Sequence, residues 1–377
     1  MPRLLLPLLL LVLAGCSPLL AFNALIPKDE GARLAARDLA YAPGERRRLD
    51  VYAPMSVAAR PLPIIVFFYG GSWKSGSKEG YGFVGRALAA QGFVVAVPDY
   101  RLVPEVRFPG FVEDSAAAVK WVRANIARFG GDPDRIVLAG HSAGAYNAAM
   151  LALDPRWLGE DRAAVKGWAA LAGPYEFLPL DTEVTKDAFA AAEDLEATQP
   201  ILLASADDPP ALLLAGGEDE LVIPSQSTGM AIALVEAGAK AEALVYPDLG
   251  HVGVVTALSM PFRDGAPVLR DMTVFARQVT AERSPAAKEA RLTAQITDNG
   301  VTPSATQALM REEPHEKNRY DPRIGRRRDH GARARCRVGP VGQGPGGAMV
   351  RRDRDPHRCP RTDLASDLLH GQSRRGG

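Results

Sequence analysis

The stretch IVLAGHSAGAYNAAM (Ile136–Met150) carries the strongest indication of fold class, because an apolar run stops at small residues and then resumes. Its first half is almost continuous in apolar residues, which predicts a strand buried on both faces. Its second half predicts a helix. Between them, glycines flank Ser142 in a G-x-S-x-G pattern, which allows a sharp strand-to-helix turn with the hydroxyl held clear. The turn is explained either by tight packing of small residues or by a nucleophilic serine.

Similar apolar runs recur along the chain and alternate with amphipathic stretches. The runs are PIIVFFYG (63–70), FVVAVPDY (93–100), RIVLAGH (135–141), WAALAG (168–173), ALLLAGG (211–217) and EALVYPD (242–248). One helical pattern sets these apolar residues on a single face: Val112, Ala116, Val119, Val122 and Ile126. The alternation predicts an α/β fold with a twisted, mostly parallel sheet and helices on both faces. Residues 176–210 exceed a simple crossover, and we expect a small helical insertion there, before the acid loop and over one edge of the site.

A serine nucleophile needs a general base within reach. Before Glu312 the chain contains two histidines, His141 and His251. His141 adjoins Ser142, so its side chain must point away from the hydroxyl that it would serve. We therefore take His251, which follows the last predicted strand, as the base. The alternative is a loop histidine without a catalytic role.

An acid that orients the imidazole is expected between the serine and the histidine in chain order. The segment LLLAGGEDELVIP ends a predicted strand and offers Glu218, Asp219 and Glu220. We choose Asp219, and Glu218 or Asp248 remain alternatives. The other interpretation is that all three form a solvated acidic loop.

Four motifs stand in a fixed order along the chain. They are YGGSW (69–73), DYRLVPE (99–105), GGDPDRIVLAGHSAG (130–144) and GGEDELVIP (216–224). In this order they resemble the motifs of the α/β-hydrolase esterases, especially the carboxylesterase branch related to hormone-sensitive lipase and to feruloyl-esterase-like hydrolases. The resemblance runs from about Leu49 to Val279. It implies acyl transfer to water and leaves the substrate open.

The resemblance also implies an oxyanion hole, in which preorganised N–H groups stabilise the negative oxygen of a tetrahedral intermediate. The implied donors are the N–H groups of Gly71, Ser72 and Ala143. The implied supports of this loop are Tyr69, Gly70 and Trp73. Tyr69 stands where the family usually has a histidine that braces the loop, and a tyrosine hydroxyl can serve the same purpose. Asp99 and Arg101 are expected to buttress the loop.

These residues together predict a serine hydrolase that cleaves short- to medium-chain carboxylic esters through an acyl-enzyme, with no cofactor and no metal. The expected partner is a small-molecule ester. Two enzymatic alternatives share the motifs: a hydrolase similar to the prenylcysteine methylesterases, and an arylformamidase. An alternative of another class is a binding lipoprotein that keeps the fold and has lost catalysis.

The N-terminus predicts export and lipid attachment. Arg3 precedes an apolar run, Leu4–Leu13, which at about ten residues is too short to span a bilayer as a helix. The run leads into LAGC, ending at Cys16, which resembles the lipobox of bacterial lipoproteins. We expect a signal peptide over 1–15, a lipidated tether over 16–40 and a hydrolase domain over 41–283. This assigns the protein to the bacterial cell envelope, at the periplasmic face or outer membrane; the alternative is an ordinary signal peptide with a stray cysteine.

The composition of the C-terminal segment, 284–377, predicts that it is disordered. From Asn318 onward it holds 15 Arg and 6 Asp, a net charge of +9, and the preceding 317 residues carry 30 basic against 38 acidic groups, a net charge of −8. An acidic body argues against nucleic acid as partner of the folded part. The segment lacks apolar periodicity and cannot bury enough surface to offset its ordering entropy. Its histidines and cysteines show no paired ligand spacing, so we expect no metal site there.

Overall fold

The structure is a computed structural model that describes residues 18–281. In this part of the chain, eight strands form one sheet in the order β1-β2-β4-β3-β5-β6-β7-β8. The strands are β1 (Ala32–Ala40), β2 (Arg48–Pro54), β3 (Leu62–Phe68), β4 (Val94–Pro98), β5 (Gly131–His141), β6 (Val165–Leu171), β7 (Ala211–Gly216) and β8 (Ala241–Tyr246). β2 runs antiparallel to both β1 and β4, and the other neighbouring pairs are parallel.

Helices connect the strands. They are α1 (Pro18–Leu25), α2 (Gly82–Ala90), α3 (Gly110–Asn125), α4 (Ala143–Leu153), α5 (Pro155–Leu158), α6 (Glu183–Ala188), α7 (Pro224–Glu236), α8 (Gly253–Thr256) and α9 (Val268–Thr280). Short 3-10 turns cover Lys78–Tyr81, Ile126–Phe129, Gly159–Ala164, Glu196–Thr198 and Pro200–Leu203. Every residue of β4 and of β7 is buried. Since successive side chains of a strand point to opposite faces, helices and loops must cover both faces of the sheet.

The six apolar runs are all strands, β3 to β8, and the mostly parallel α/β sheet is confirmed. The expected helical insertion between β6 and β7 is also present, as α6 and two 3-10 turns. Its Phe189 packs edge-on against Trp73, with ring centroids 5.2 Å apart. The insertion therefore contacts the loop after β3.

The tether expected over residues 16–40 is wrong from Pro18 onward, because α1 and β1 belong to the folded body. β1 pairs with β2, and Arg86 Nη1 donates to the carbonyl of Ala32 at 2.6 Å. Arg263 holds the connection between α1 and β1 through two bonds to Asp29, at 2.8 and 2.9 Å. β1 lies at the sheet edge and stays half exposed, so it lacks the continuous apolar run of the inner strands.

The remaining terminal expectations fall on residues 1–17 and 282–377, which lie outside the described residues. These are the signal peptide, lipidation at Cys16 and the disordered tail. Within residues 18–281, no helix combines the length and the apolar character needed to cross a membrane.

Candidate active site

The site lies where the carboxyl ends of the parallel strands meet, which is where ligands bind in open α/β sheets. The turn between β5 and α4 contains Ser142, whose backbone is held at φ 55° and ψ −122°. A Cβ on Gly140 would lie 2.3 Å from the carbonyl oxygen of Gly144, and a Cβ on Gly144 would lie 2.1 Å from that of Phe68. Steric exclusion therefore requires glycine at both positions of the G-x-S-x-G pattern.

The structure brings the predicted serine, histidine and aspartate together. His251 Nε2 is 2.9 Å from Ser142 Oγ, and His251 Nδ1 is 2.8 Å from Asp219 Oδ2. The other carboxylate oxygen of Asp219 accepts the N–H groups of Leu221 and Val222, at 3.0 and 2.8 Å. A carboxylate only accepts, so Nδ1 carries the proton and Nε2 faces the serine hydroxyl as an acceptor.

The choice among the acids of this region follows from burial. The Asp219 side chain is fully buried, whereas Glu218 and Asp248 are exposed. In the described part of the chain, neither of these two alternatives bonds to His251. Asp219 is thus the acid that the geometry supports.

The loop after β3 has an unusual backbone. Gly71 has φ 133°, and Ser72 and Trp73 both have φ 55°. A Cβ on Gly71 would lie 2.3 Å from the carbonyl oxygen of Ser75, so only glycine fits there. The N–H groups of Lys74 and Ser75 both donate to Gly71 O at 3.0 Å, closing a tight turn.

The three residues predicted to supply the oxyanion N–H groups either share a cavity with Ser142 or adjoin it in the chain. Gly71 and Ser72 line the same cavity as Ser142 and His251. Ala143 is the first residue of α4, and the first N–H groups of a helix have no partner within the helix. The arrangement supports an oxyanion hole at these positions.

Tyr69 is fully buried and is held by an arginine that sequence analysis did not single out. Arg46 Nη2 donates to Tyr69 Oη at 2.6 Å and to the carbonyl of Gly76 at 2.8 Å. Tyr69 stacks on Tyr100, with ring centroids 4.6 Å apart, and Tyr100 Oη donates to Tyr69 O at 2.8 Å. Burial raises the pKa of Tyr69, so its hydroxyl stays protonated and acts as a structural group. Nothing in the sequence indicates the contact between Arg46 and Tyr69 except the presence of Arg46 in a run of basic residues at the start of β2.

Other supports of the loop differ in part from expectation. Trp73 Nε1 donates to Asn147 Oδ1 at 3.1 Å, which ties the loop to α4. Asp99 accepts the N–H of Lys78 at 2.8 Å and lies 3.6 Å from Arg46, so it buttresses the loop indirectly. The expected role of Arg101 is wrong, because its guanidinium pairs with Asp114 of α3, at 2.8 and 2.9 Å.

A cavity of about 270 Å³ opens onto Ser142 and His251. Its polar wall is the glycine loop, and its apolar wall includes Leu19, Leu20, Leu221 and Val252. The first two belong to α1, the segment that was expected to be a tether. No sequence pattern indicates this wall, since α1 reaches the site only through the tertiary fold. Among residues 18–281, no group of three or more His, Cys, Asp or Glu side chains is arranged to hold a metal ion.

Comparisons with known proteins find esterases among the similar chains. Residues 49–234 match the family model BD-FAE. Esterase LipC of Mycobacterium tuberculosis is 29% identical over 280 residues, covering 67% of either chain. A probable isoprenylcysteine alpha-carbonyl methylesterase of Oryza sativa, ICMEL1, is 32% identical over 256 residues, covering 61% of this chain and 59% of the relative. The chain thus spans only about 60% to two thirds of the length of these two curated relatives.

Solved structures give the same fold. The carboxylesterase EstE1, cloned from a metagenomic library, superposes with a TM-score of 0.57 at 25% identity, covering 70% of this chain and 94% of that one. A truncated carbohydrate esterase from gut microbiota gives a TM-score of 0.59 at 22% identity, covering 68% of this chain and 99% of that one.

The strand order, the turn around Ser142 and the solved structures together show an α/β-hydrolase fold. Within that fold, the family match and the esterase relatives support a serine carboxylesterase.

Proposed function

We propose that this chain hydrolyses short- to medium-chain carboxylic esters through an acyl-enzyme formed on Ser142. The observation that carries the proposal is the pair of contacts at His251, 2.9 Å to Ser142 Oγ and 2.8 Å to Asp219 Oδ2, beside an open cavity. The esterase relatives support the reaction class.

In the first half of the reaction, Ser142 Oγ attacks the ester carbonyl while His251 Nε2 takes the hydroxyl proton. Asp219 stabilises the imidazolium, and the N–H groups of Gly71, Ser72 and Ala143 bind the oxyanion. The C–O bond to the alcohol then breaks, and His251 returns its proton to the leaving alkoxide. In the second half, His251 deprotonates water, which attacks the acyl-enzyme. The carboxylic acid leaves, and Ser142 regains its proton.

The cavity supports a small substrate. Its volume of about 270 Å³ lies just below the usual range of ligand pockets, roughly 300–1,000 Å³. Leu19 and Leu20 close the apolar side, so long acyl chains meet α1.

A panel of p-nitrophenyl esters from acetate to laurate tests this proposal. We expect the highest kcat/KM at the short end, and a shift towards longer chains in Leu20→Ala. Leu25→Ala is the matched control, because Leu25 lies on the same helix, is exposed and does not line the cavity. No hydrolysis of any ester in the panel would refute the proposed activity, and an unchanged profile in Leu20→Ala would refute the role of α1.

A second candidate is favoured by one observation, the relatives named as isoprenylcysteine alpha-carbonyl methylesterases. A methyl ester of an isoprenylcysteine has its large group on the acyl side and a small alcohol. Comparing the methyl ester of S-farnesylcysteine with p-nitrophenyl butyrate separates the two candidates. We expect the butyrate to be the better substrate, because the cavity is small.

We also propose that Cys16 is lipidated and that the protein is attached to the bacterial cell envelope. The support is the sequence LAGC after an apolar run, with only Ser17 between Cys16 and the first residue of α1. Incorporation of an alkynyl fatty acid and fractionation of cells test it. Cys16→Ser should abolish incorporation and change the membrane-bound fraction. Identical incorporation in variant and parent would exclude lipidation at this residue.

A further inference from the structure

His141, the residue before the nucleophile, is a buried histidine that the proposed reaction does not use. Its side chain points away from Ser142 Oγ and bonds through both ring nitrogens. Nε2 lies 2.9 Å from the backbone carbonyl oxygen of His251, and Nδ1 lies 2.9 Å from Tyr81 Oη. Tyr81 ends the 3-10 turn Lys78–Tyr81 and is itself 1% exposed.

The direction of each hydrogen bond is fixed by the chemistry of the partners. A carbonyl oxygen only accepts, so His141 Nε2 must carry a proton. Burial, and next the neighbouring His251, lower the pKa of His141 to about 3, so the ring is neutral and Nδ1 is an acceptor. Tyr81 Oη therefore donates to Nδ1. The same oxygen accepts the N–H of Gly70, at 3.1 Å.

These bonds join three separate segments of the site. Gly70 precedes the oxyanion donor Gly71, His141 precedes the nucleophile, and the carbonyl belongs to His251 itself. We propose that Tyr81 and His141 are positioning residues that hold the oxyanion loop and the catalytic histidine in register with Ser142. The proposal rests on the proposed esterase function.

Two further contacts indicate that His141 positions its neighbours and does not merely fill space in the core. A Cβ on Gly70 would lie 2.9 Å from His141 Nδ1, so the loop backbone rests directly on this ring. The rings of His141 and His251 lie 4.9 Å apart between centroids. A neutral ring at this distance does not oppose the positive charge that His251 acquires during attack. Displacement of a reacting group by about 1 Å can cost about a hundredfold in rate, so such register matters in the transition state.

Tyr81→Phe is the first test. It keeps the ring, which packs against Phe67 and Phe83, and removes the hydroxyl that serves Gly70 and His141. We expect kcat to fall about tenfold with KM nearly unchanged. Tyr175→Phe is the matched control, because its buried hydroxyl has no hydrogen-bond partner within the described residues, and it should leave kcat unchanged. Titration of active sites with a fluorophosphonate corrects each rate for the folded fraction.

His141→Gln and His141→Leu form the second test. Glutamine offers one donor and one acceptor and can replace the histidine bonds in part, whereas leucine fills space without bonding. We expect Gln to retain more kcat than Leu. Tyr81→Phe should cost little in addition to His141→Leu, because both changes break the same connection.

The proposal is overturned if Tyr81→Phe has the kcat of the parent, or if Gln and Leu at position 141 are equally active at equal thermal stability. A loss that appears only in KM would also overturn it. If the parent hydrolyses no ester and reacts with no fluorophosphonate, the proposed function itself fails. An active parent with unaffected variants refutes the positioning role alone.

Discussion

The turn around Ser142 and the loop after β3 supply the two halves of the site, yet they are held in different ways. At the turn, the constraint is close backbone packing, because a Cβ on Gly140 would collide with the backbone of Gly144, and a Cβ on Gly144 with that of Phe68. At the loop, Arg46 binds Tyr69 across 23 residues, and Asn147 binds Trp73 across 74. The nucleophile is thus fixed by close backbone packing at the glycines of its motif, and the oxyanion loop by side chains from distant segments.

This difference leads to different responses to substitution. Changes in the turn or in its proton relay should abolish the reaction, since nucleophile, base and acid act as a unit. Changes in the residues that support the loop should reduce activity only in part, because several separate contacts hold the loop in place. The predictions below test this contrast.

The largest effect should follow from breaking the relay. Asp219→Ala should lower kcat by about 10⁴, because the His251 ring loses both its orientation and the charge that stabilises it. Glu218→Gln, at the exposed neighbouring position, should leave kcat unchanged. Ester hydrolysis under saturating substrate provides the comparison. Equal losses in the two variants would mean that the acid has been assigned wrongly.

A smaller effect is expected from crowding the loop. In Gly71→Ala the new methyl group would meet the Ser75 carbonyl, so the Gly71 N–H must move, and kcat should fall by about 10²–10³, the cost of one oxyanion donor. Gly92→Ala is the control, because Gly92 also has a positive φ, of 92°, but open space around its Cβ position. Both variants should lose stability, and only Gly71→Ala should lose kcat. A similar loss of kcat in Gly92→Ala would mean that backbone strain at a positive φ, and not displacement of the Gly71 N–H, lowers the rate.

His141 lies in the turn around Ser142, and Tyr81 connects it with the loop after β3. Because His141 is buried, it should make the stability of the protein depend on pH. Its pKa is lowered to about 3 in the folded state, below the ordinary value of about 6.5 in the unfolded chain. The contribution of this group to the free energy of unfolding is therefore highest above pH 6.5. It decreases as the pH falls below that value, because the unfolded chain binds a proton at this histidine more readily than the folded chain does. Near pH 5 the loss is about 2 kcal/mol.

Urea denaturation of the parent and of His141→Gln at pH 7 and pH 5 measures this contribution. The parent should lose about 2 kcal/mol more than the variant between the two pH values. Equal losses would show that His141 is not buried in its neutral form.

The smallest effect should come from one support of the loop. Tyr69→Phe removes the hydroxyl that Arg46 contacts, and kcat/KM should fall about tenfold, the scale of one hydrogen bond at roughly 1.4 kcal/mol. Tyr69→His should keep substantial activity, because an imidazole can brace the same loop. If Tyr69→Phe proved as damaging as loss of the nucleophile, the hydroxyl would have to act on the substrate directly.

The inner sheet could be predicted from sequence because its strands are buried on both faces and read as short apolar runs. β1 could not, since its residues are largely half-buried or exposed and include Arg33 and Asp38. α1 was missed for a related reason. It has no fully buried residue, and it contacts the 3-10 turn at Lys78–Tyr81, where Asn23 Nδ2 donates to Glu79 O at 2.7 Å.

The site shows the same division. Ser142, Asp219 and His251 follow strands, so strand ends and chain order indicated the serine and the histidine. They left Glu218 and Asp248 as alternatives to Asp219, and burial in the fold decided among the three acids. Arg46 and Tyr81 act from other segments, and no spacing along the chain connects them with the residues they hold. Their roles depend on the tertiary fold, which brings Tyr81 Oη within 2.9 Å of His141 across 60 residues.

The role of Ser142 as the nucleophile of a serine hydrolase can be tested by reaction with a fluorophosphonate, followed by intact-mass measurement and peptide mapping. We expect a single adduct, located on Ser142 in the peptide containing GHSAG, and no adduct in a folded Ser142→Ala variant. An adduct on another residue, or labelling of Ser142→Ala equal to that of the parent, would contradict it.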